Sequence, residues 1–171
     1  MWQPWVRNVL WEVMVTTLAI WLPSLALAAG DPQAPTPLAQ CREAIRLLQL
    51  TPESVLYDLG CGDGRICILA AEMVGCRAVG IDLDGGKIQK AKRIAESHFV
   101  GDLVTFYQGD VLQVDYSKLP MTHAYVYLPR DVLAKLTPKL QQCKELSVVA
   151  YMHPLATVAD EQHGAFYAYE F

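Results

Sequence analysis

Tyr57-Asp58-Leu59-Gly60-Cys61-Gly62-Asp63-Gly64-Arg65 is the stretch that decides the fold, because it joins an apolar run to a run of helix formers through closely spaced glycines. Val55 to Leu59 reads as a buried strand stopped by glycine, and Arg65 to Met73 as a helix of small and apolar residues. Glycine lets the backbone turn tightly and approach a ligand with no Cβ in the way. The N–H groups that begin the next helix are then free to hold a carboxylate or a phosphate. A dinucleotide fingerprint requires Gly-x-Gly-x-x-Gly, whereas here the third glycine comes one residue early and Arg65 takes the expected place. Nicotinamide binding is the weaker reading. Asp58 points the same way, since a carboxylate just before the turn repels a pyrophosphate and attracts a cationic amine or sulfonium.

Outward from this turn the chain alternates. Residues 38 to 50 space Leu38, Cys41, Ile45 and Leu48 as a helix that Thr51-Pro52 ends. After the central turn come a strand at Ala78 to Ile81, a helix at Gly86 to Glu96 and a strand at Val104 to Gln108. Asp110 to Thr122 reads as a short connection with one helical turn where a third helix would stand. Ala124 to Leu128 is a fourth strand, and Val132, Leu133, Leu136 and Leu140 form a helical stripe that Pro138 is expected to bend or split. Ser147 to Met152 is a fifth strand, and Phe166 to Phe171 a last one antiparallel to the rest. The order predicts an α/β, Rossmann-like domain: a mainly parallel sheet flanked by helices, with right-handed crossovers.

Two further acids fall at the carboxyl edge of this sheet, where such folds bind ligands. Asp82, in Gly80-Ile81-Asp82-Leu83-Asp84, ends the second strand, where its oxygens can accept both hydroxyl hydrogens of a ribose. Leu83 is placed to pack on an adenine face. Asp110, with Val111 beside it, follows the third strand and is suited to accept from an exocyclic amine.

Together these stations resemble the class I methyltransferase pattern of Asp-x-Gly-x-Gly-x-Gly, strand-end acid and Gly-Asp. The resemblance implies S-adenosyl-L-methionine as methyl donor. It places Asp58 at the methionine amino group, Gly60, Gly62 and Gly64 where the backbone approaches, Asp82 at the ribose, and Asp110 with Val111 at the adenine. A closer resemblance spans residues 40 to 155, through TPESVLYDLGCGDGRICILAAE, AVGIDLD, YQGDV, AYVYLPRDVLAKLTPKL and VVAYMHP. These stretches resemble the small mitochondrial lysine methyltransferases of the FAM173 family and, more distantly, the Dot1-type histone lysine methyltransferases. That likeness implies a protein lysine as acceptor.

The fourth strand bears on substrate class. Amide and base N-methyltransferases of this fold carry Asn/Asp-Pro-Pro-Tyr there, whereas this chain reads Tyr125-Val126-Tyr127-Leu128-Pro129. Tyr125 and Tyr127 share one strand face and either pack a core or wall a lysine channel. Tyr127 and His153 are the candidate catalytic side chains, His153 because it follows the fifth strand and its imidazole titrates near neutral pH. Methyl transfer needs little acid–base help, so no catalytic base is assigned.

Composition sets the remaining bounds. A formal charge of -4 offers no general attraction for a phosphate backbone, which disfavours nucleic acid as a partner. The densest basic run, Lys87, Lys90, Lys92 and Arg93, reads as the solvated face of a helix. Cys41, Cys61, Cys67, Cys76 and Cys143 form no Cys-x-x-Cys pair, so no metal site and no disulfide framework are expected. Residues 1 to 30 are strongly apolar. From Val9 to Ala29 the only charge is Glu12, which suits a transmembrane helix, with Trp2, Trp5, Trp11 and Trp21 at interfacial depth. The same stretch, with Arg7 before it and Ala26-Leu27-Ala28 near its end, also resembles a cleavable signal peptide that would lead to export. Residues 31 to 37 are a Pro-rich linker, and 38 to 171 the methyltransferase domain.

The expected function is methylation of a protein lysine, with residues 9 to 29 anchoring the domain to a membrane on the side that holds the cofactor. A small-molecule or lipid methyltransferase and a non-catalytic S-adenosylmethionine-binding module are the alternatives. The oligomeric state is left open.

Overall fold

The apolar positions of residues 38 to 50 form a helix, α1 (Leu38–Leu47), whose buried face carries Cys41, Ala44 and Ile45. The computed structural model describes residues 35–171, so the predicted anchor or signal segment and most of the linker lie outside the described residues. The described residues all belong to one compact unit. After α1 come β1 (Val55–Leu59), α2 (Arg65–Val74), β2 (Arg77–Asp82), α3 (Gly85–Ser97) and β3 (Val104–Gln108). Two single 3-10 turns, Val111–Gln113 and Tyr116–Lys118, one more than expected, occupy the connection in place of a third crossover helix. Then follow β4 (His123–Val126), α4 (Arg130–Leu140), β5 (Ser147–Tyr151), β6 (Glu161–His163) and β7 (Phe166–Glu170).

Among the described residues, seven strands make one sheet in the order β3-β2-β1-β4-β5-β7-β6. The first five are parallel, while β7 runs antiparallel to β5 and pairs with β6 in a hairpin. Strand β1 is buried along its whole length, as befits a central strand covered on both faces. Side chains alternate between two cores. Leu56, Tyr125, Tyr127 and Phe106 belong to the core that α1, α2 and α3 cover. Tyr57, Leu59, Ala124 and Val126 belong to the core that includes Leu133, Leu136 and Leu140 of α4. The strand order reverses direction between β1 and β4, so the loops at their carboxyl ends diverge and leave a crevice, the usual ligand position of an open α/β sheet.

Two elements differ from the expectation. Pro138 does not end or split α4, which runs unbroken through Leu140. The proline sits in the last turn, so it removes one N–H whose natural acceptor is the carbonyl of exposed Ala134, within reach of water. Strand β6 was not expected, because Glu161, Gln162 and His163 are all exposed and carry no apolar alternation. Its pairing follows from Gly164, whose φ of +60° turns the chain back onto β7.

Candidate active site

The glycine loop after β1 is held against β2 by its own backbone. Gly60 N and Cys61 N both donate to Ile81 O, at 2.8 and 3.0 Å, and Gly62 N donates to Asp82 Oδ2 at 2.8 Å. Gly60 and Gly62 lie at φ +93° and +55°, in the left-handed region. At Gly62 a Cβ would meet nothing within 4 Å, so this backbone faces open space. Gly64 serves another purpose: a Cβ there would lie 2.6 Å from Phe106 Cζ and 2.9 Å from Ala91 Cβ, so it lets α2 pack closely on β3 and α3.

The loop opens on a cleft of about 280 Å³, near the lower end of small-molecule sites at roughly 300 Å³. Asp58, Gly60, Cys61, Gly62 and Asp82 form one wall, and Tyr125, Tyr127, Leu128 and Pro129 another. Asp58 is 2% exposed, and among the described residues no donor reaches its carboxylate. Burial first, then the charges of Asp82 and Asp63, push its pKa up to about 8. Such a group lacks a cationic partner. The carboxylate of Asp82 is held from both sides, Oδ2 by Gly62 N and Oδ1 by Asp84 N at 2.9 Å. Each oxygen keeps a further lone pair for a hydroxyl.

Of the other expected site residues, Asp110 spends Oδ1 on capping the first 3-10 turn, accepting from Leu112 N at 2.8 Å. Val111 is buried in the same core as Tyr116, and Leu83 stands 68% exposed just beyond β2. None of these three, nor Gly64, lines the cleft. Tyr127 does, with its ring edge-on to Tyr151 at a centroid distance of 5.1 Å. His153 does not line it. It is 9% exposed, its Nδ1 has no partner among the described residues, and it follows Met152, whose φ of +65° is unusual for a side chain of that size.

Several residues at the cleft were not singled out from the sequence. Arg65, standing where a dinucleotide fingerprint has glycine, forms an ion pair with Asp63 (2.7 Å) that holds the Asp63 carboxyl below its usual range. Lys87 and Lys90 were expected only to be solvated, yet both line the cleft, and Lys90 Nζ lies 3.7 Å from Asp63 Oδ2. Pro35 and Thr36 line it as well. Among the described residues all five cysteines are free thiols, four of them buried. No group of three metal-binding side chains occurs among the described residues, and no described helix is long and apolar enough to cross a membrane.

An open backbone at Gly62, a buried unpaired acid at Asp58 and a doubly held acid at Asp82 fit a donor with an amino-acid end and a ribose. Comparison with known proteins agrees. A crystal structure of an RNA methyltransferase from Salinibacter ruber, solved with S-adenosyl-L-homocysteine, superposes with a TM-score of 0.73 at 35% identity, covering 80% of this chain and 93% of that one. A protein-lysine N-methyltransferase from Saccharolobus islandicus is 32% identical over 112 residues, which are 65% of this chain and 68% of the relative. The ribosomal protein L11 methyltransferase of Escherichia coli is 36% identical over 81 residues, 47% of this chain but 27% of that protein. The fold and site are those of a class I methyltransferase whose methyl donor is S-adenosyl-L-methionine. Residues 58–162 match the family described as the ANTKMT methyltransferase domain, and the chain belongs to that family, of the FAM173 type.

Proposed function

We propose that this enzyme N-methylates a lysine side chain of a protein substrate. The observation that carries the reading is the acceptor wall: Tyr127, edge-on to Tyr151, followed by Leu128 and Pro129, where amide and base methyltransferases carry Asn/Asp-Pro-Pro-Tyr. Aromatic and aliphatic walls suit the methylene stem of a lysine, and a ring face tolerates positive charge. The Saccharolobus islandicus relative, a protein-lysine N-methyltransferase, supports the same acceptor.

When bound, S-adenosylmethionine supplies a methyl group on a positively charged sulfur. Asp58 would receive the ammonium group of its amino-acid end, the backbone at Gly60 and Gly62 would admit that end closely, and Asp82 would accept from the ribose hydroxyls, whereas Asp110 and Leu83 lie outside the cleft. The wall at Tyr127 to Pro129 excludes water and holds the acceptor nitrogen in line with the methyl group. Desolvation there favours the neutral amine, which attacks through its lone pair, and the proton it has shed leaves to solvent. The new nitrogen–carbon bond would form as the methyl group's bond to sulfur breaks, which would leave the donor as a neutral thioether.

Residues 9 to 29 remain attached as an anchor, with the domain on the side that holds the donor, because a domain exported from its cofactor supply lacks substrate. Tethering raises the effective concentration of a membrane-bound target. Mass spectrometry of the mature N-terminus tests this, and a protein beginning at Ala29 defeats it. A second reading takes RNA as acceptor and is favoured by the near-complete coverage of the Salinibacter ruber relative. Incubation of the full chain with labelled donor and a membrane-plus-soluble extract separates the acceptors. Label on protein lysine supports the proposal, and label confined to RNA, lipid or a metabolite overturns it.

A further inference from the structure

Thr36 lies just ahead of α1, in the stretch the sequence reads as linker, yet it is buried and tied at both its carbonyl and its hydroxyl. The carbonyl oxygen accepts from Arg65 Nη1 at 2.7 Å and from Cys41 Sγ at 3.5 Å. The hydroxyl shares a hydrogen bond of 3.2 Å with the phenol of Tyr125, 89 residues along the chain. Arg65 is itself fixed, with Nε donating to Asp63 Oδ1 at 2.8 Å and Nη2 to Asp63 Oδ2 at 2.7 Å. Tyr125 stands beside Asp58 in the register of β4 on β1. Thr36, Arg65, Tyr125 and Asp58 all line the same cleft.

A connection that merely spans a gap leaves its polar groups to water. Here a threonine between two prolines, whose φ angles are fixed, commits a guanidinium and a buried phenol to itself. We infer that Thr36 is a positioning residue of the donor site: the Pro35 to Pro37 strap closes the amino-acid end of the cleft over Asp58, and Arg65 and Tyr125 hold it there. The inference rests on the reading that Asp58 receives the donor's ammonium group. With the strap in place that carboxylate meets its cation away from bulk water, where the attraction is stronger. When the bond to Tyr125 is lost, the strap loosens and water reaches the acid.

The test compares two probes on the full chain by calorimetry. S-adenosylhomocysteine carries the amino-acid end, and 5'-methylthioadenosine lacks it. Thr36→Val and Tyr125→Phe each weaken S-adenosylhomocysteine about three- to tenfold, the span of one lost hydrogen bond. Both leave methylthioadenosine within about twofold, and the double variant is no weaker than the worse single one, because the two share one bond. Thr36→Ser keeps the hydroxyl and binds as the wild type does. Equal weakening of both probes, no weakening of either, or additive losses overturns the inference. If Thr36→Val does not fold, Tyr125→Phe makes the comparison alone. Asp58→Asn, measured alongside, separates the two layers: if it fails to weaken S-adenosylhomocysteine selectively, the ammonium reading has fallen, whereas a selective loss there with unaffected strap variants removes only the strap.

Discussion

Lowering the pH from about 7 to about 5.5 in a donor-site titration tests the placement of Asp58 directly, and the size of the effect follows from its surroundings. Burial, with Asp82 and Asp63 nearby, raises its pKa to about 8 in the cofactor-free protein. An ammonium group binds the ionised carboxylate, whose fraction is about one tenth near pH 7 and about a third of a percent near pH 5.5. Apparent affinity for S-adenosylhomocysteine therefore falls about thirtyfold over that window, and nearly one proton is released for each ligand bound. The window stays below the range in which the ligand's own amine titrates, roughly 7.7 to 8.0. Neighbouring groups do not confuse it. Cys61, Cys67 and Tyr125 are raised by burial and remain protonated, and the Arg65 hydrogen bond keeps Asp63 ionised. Calorimetry in two buffers of different protonation enthalpy counts the proton. Methylthioadenosine, without the ammonium, shows no slope, and Asp58→Asn binds S-adenosylhomocysteine more weakly and without pH dependence. The same ionisation acts on the empty fold. The folded protein holds a proton on Asp58 that the unfolded chain releases above about 4, so stability falls as pH rises from about 4 through about 8. Asp58→Asn accordingly raises the melting temperature near pH 8. Affinity that changes by less than about twofold over the window, or a slope that survives Asp58→Asn, would show that Asp58 does not receive the ammonium group.

Asp82→Ala removes the acceptor of Gly62 N and Asp84 N together with the one proposed for the ribose, and should cost about 1.5 to 3 kcal/mol of S-adenosylhomocysteine binding by calorimetry. Unchanged affinity in a folded Asp82→Ala protein removes that assignment. Gly60→Ala should lower the melting temperature more than Gly62→Ala: both strain a positive φ, but only at Gly60 does the new Cβ come 2.7 Å from Leu128 Cδ2. Gly62→Ala is expected to cost only about 1 kcal/mol, and equal melting temperatures for the two would show that Leu128 yields freely. Tyr127→Ala should slow single-turnover methyl transfer far more than it weakens S-adenosylhomocysteine if the ring belongs to the proposed acceptor wall, and the opposite ratio would move Tyr127 to the donor side.

What was legible in the sequence is what local pattern encodes. The run from Tyr57 to Arg65 carried the strand, the turn and the helix start, and the spacing from it to Asp82 put both acids at one sheet edge. The period of two put Tyr125 in β4 and Tyr127 just beyond its end on one face, and both pack in the core while also lining the cleft. What was not legible depends on distant partners. Strand β6 has no apolar face and exists through its pairing with β7. Thr36 reads as linker because its reason for burial, Tyr125, lies 89 residues away. Lys87 and Lys90 sit on a helix whose outward face looks solvated, and only the packing of α3 beside the glycine loop brings them to the cleft. Gly64 looked like one more point of ligand approach, whereas its Cβ position is filled by Phe106 from a different strand.

Three carboxylates at this sheet edge share a residue type and differ in their hydrogen bonds, and the difference assigns their work. Asp110 caps a turn, which stabilises the empty protein and leaves less of the carboxylate for a ligand. Asp82 is clamped by two backbone N–H groups, so its oxygens are fixed in direction before any hydroxyl arrives, and binding there need not order a side chain. Asp58 has neither cap nor clamp, and a buried acid in that condition destabilises the fold whenever it ionises. A methyl or an amide in its place would remove that cost, so local stability does not explain an acid at position 58. A ligand that brings the missing positive charge does. It converts the least favourable group in the cleft into a strong contact and favours donors that carry an ammonium over otherwise similar nucleosides.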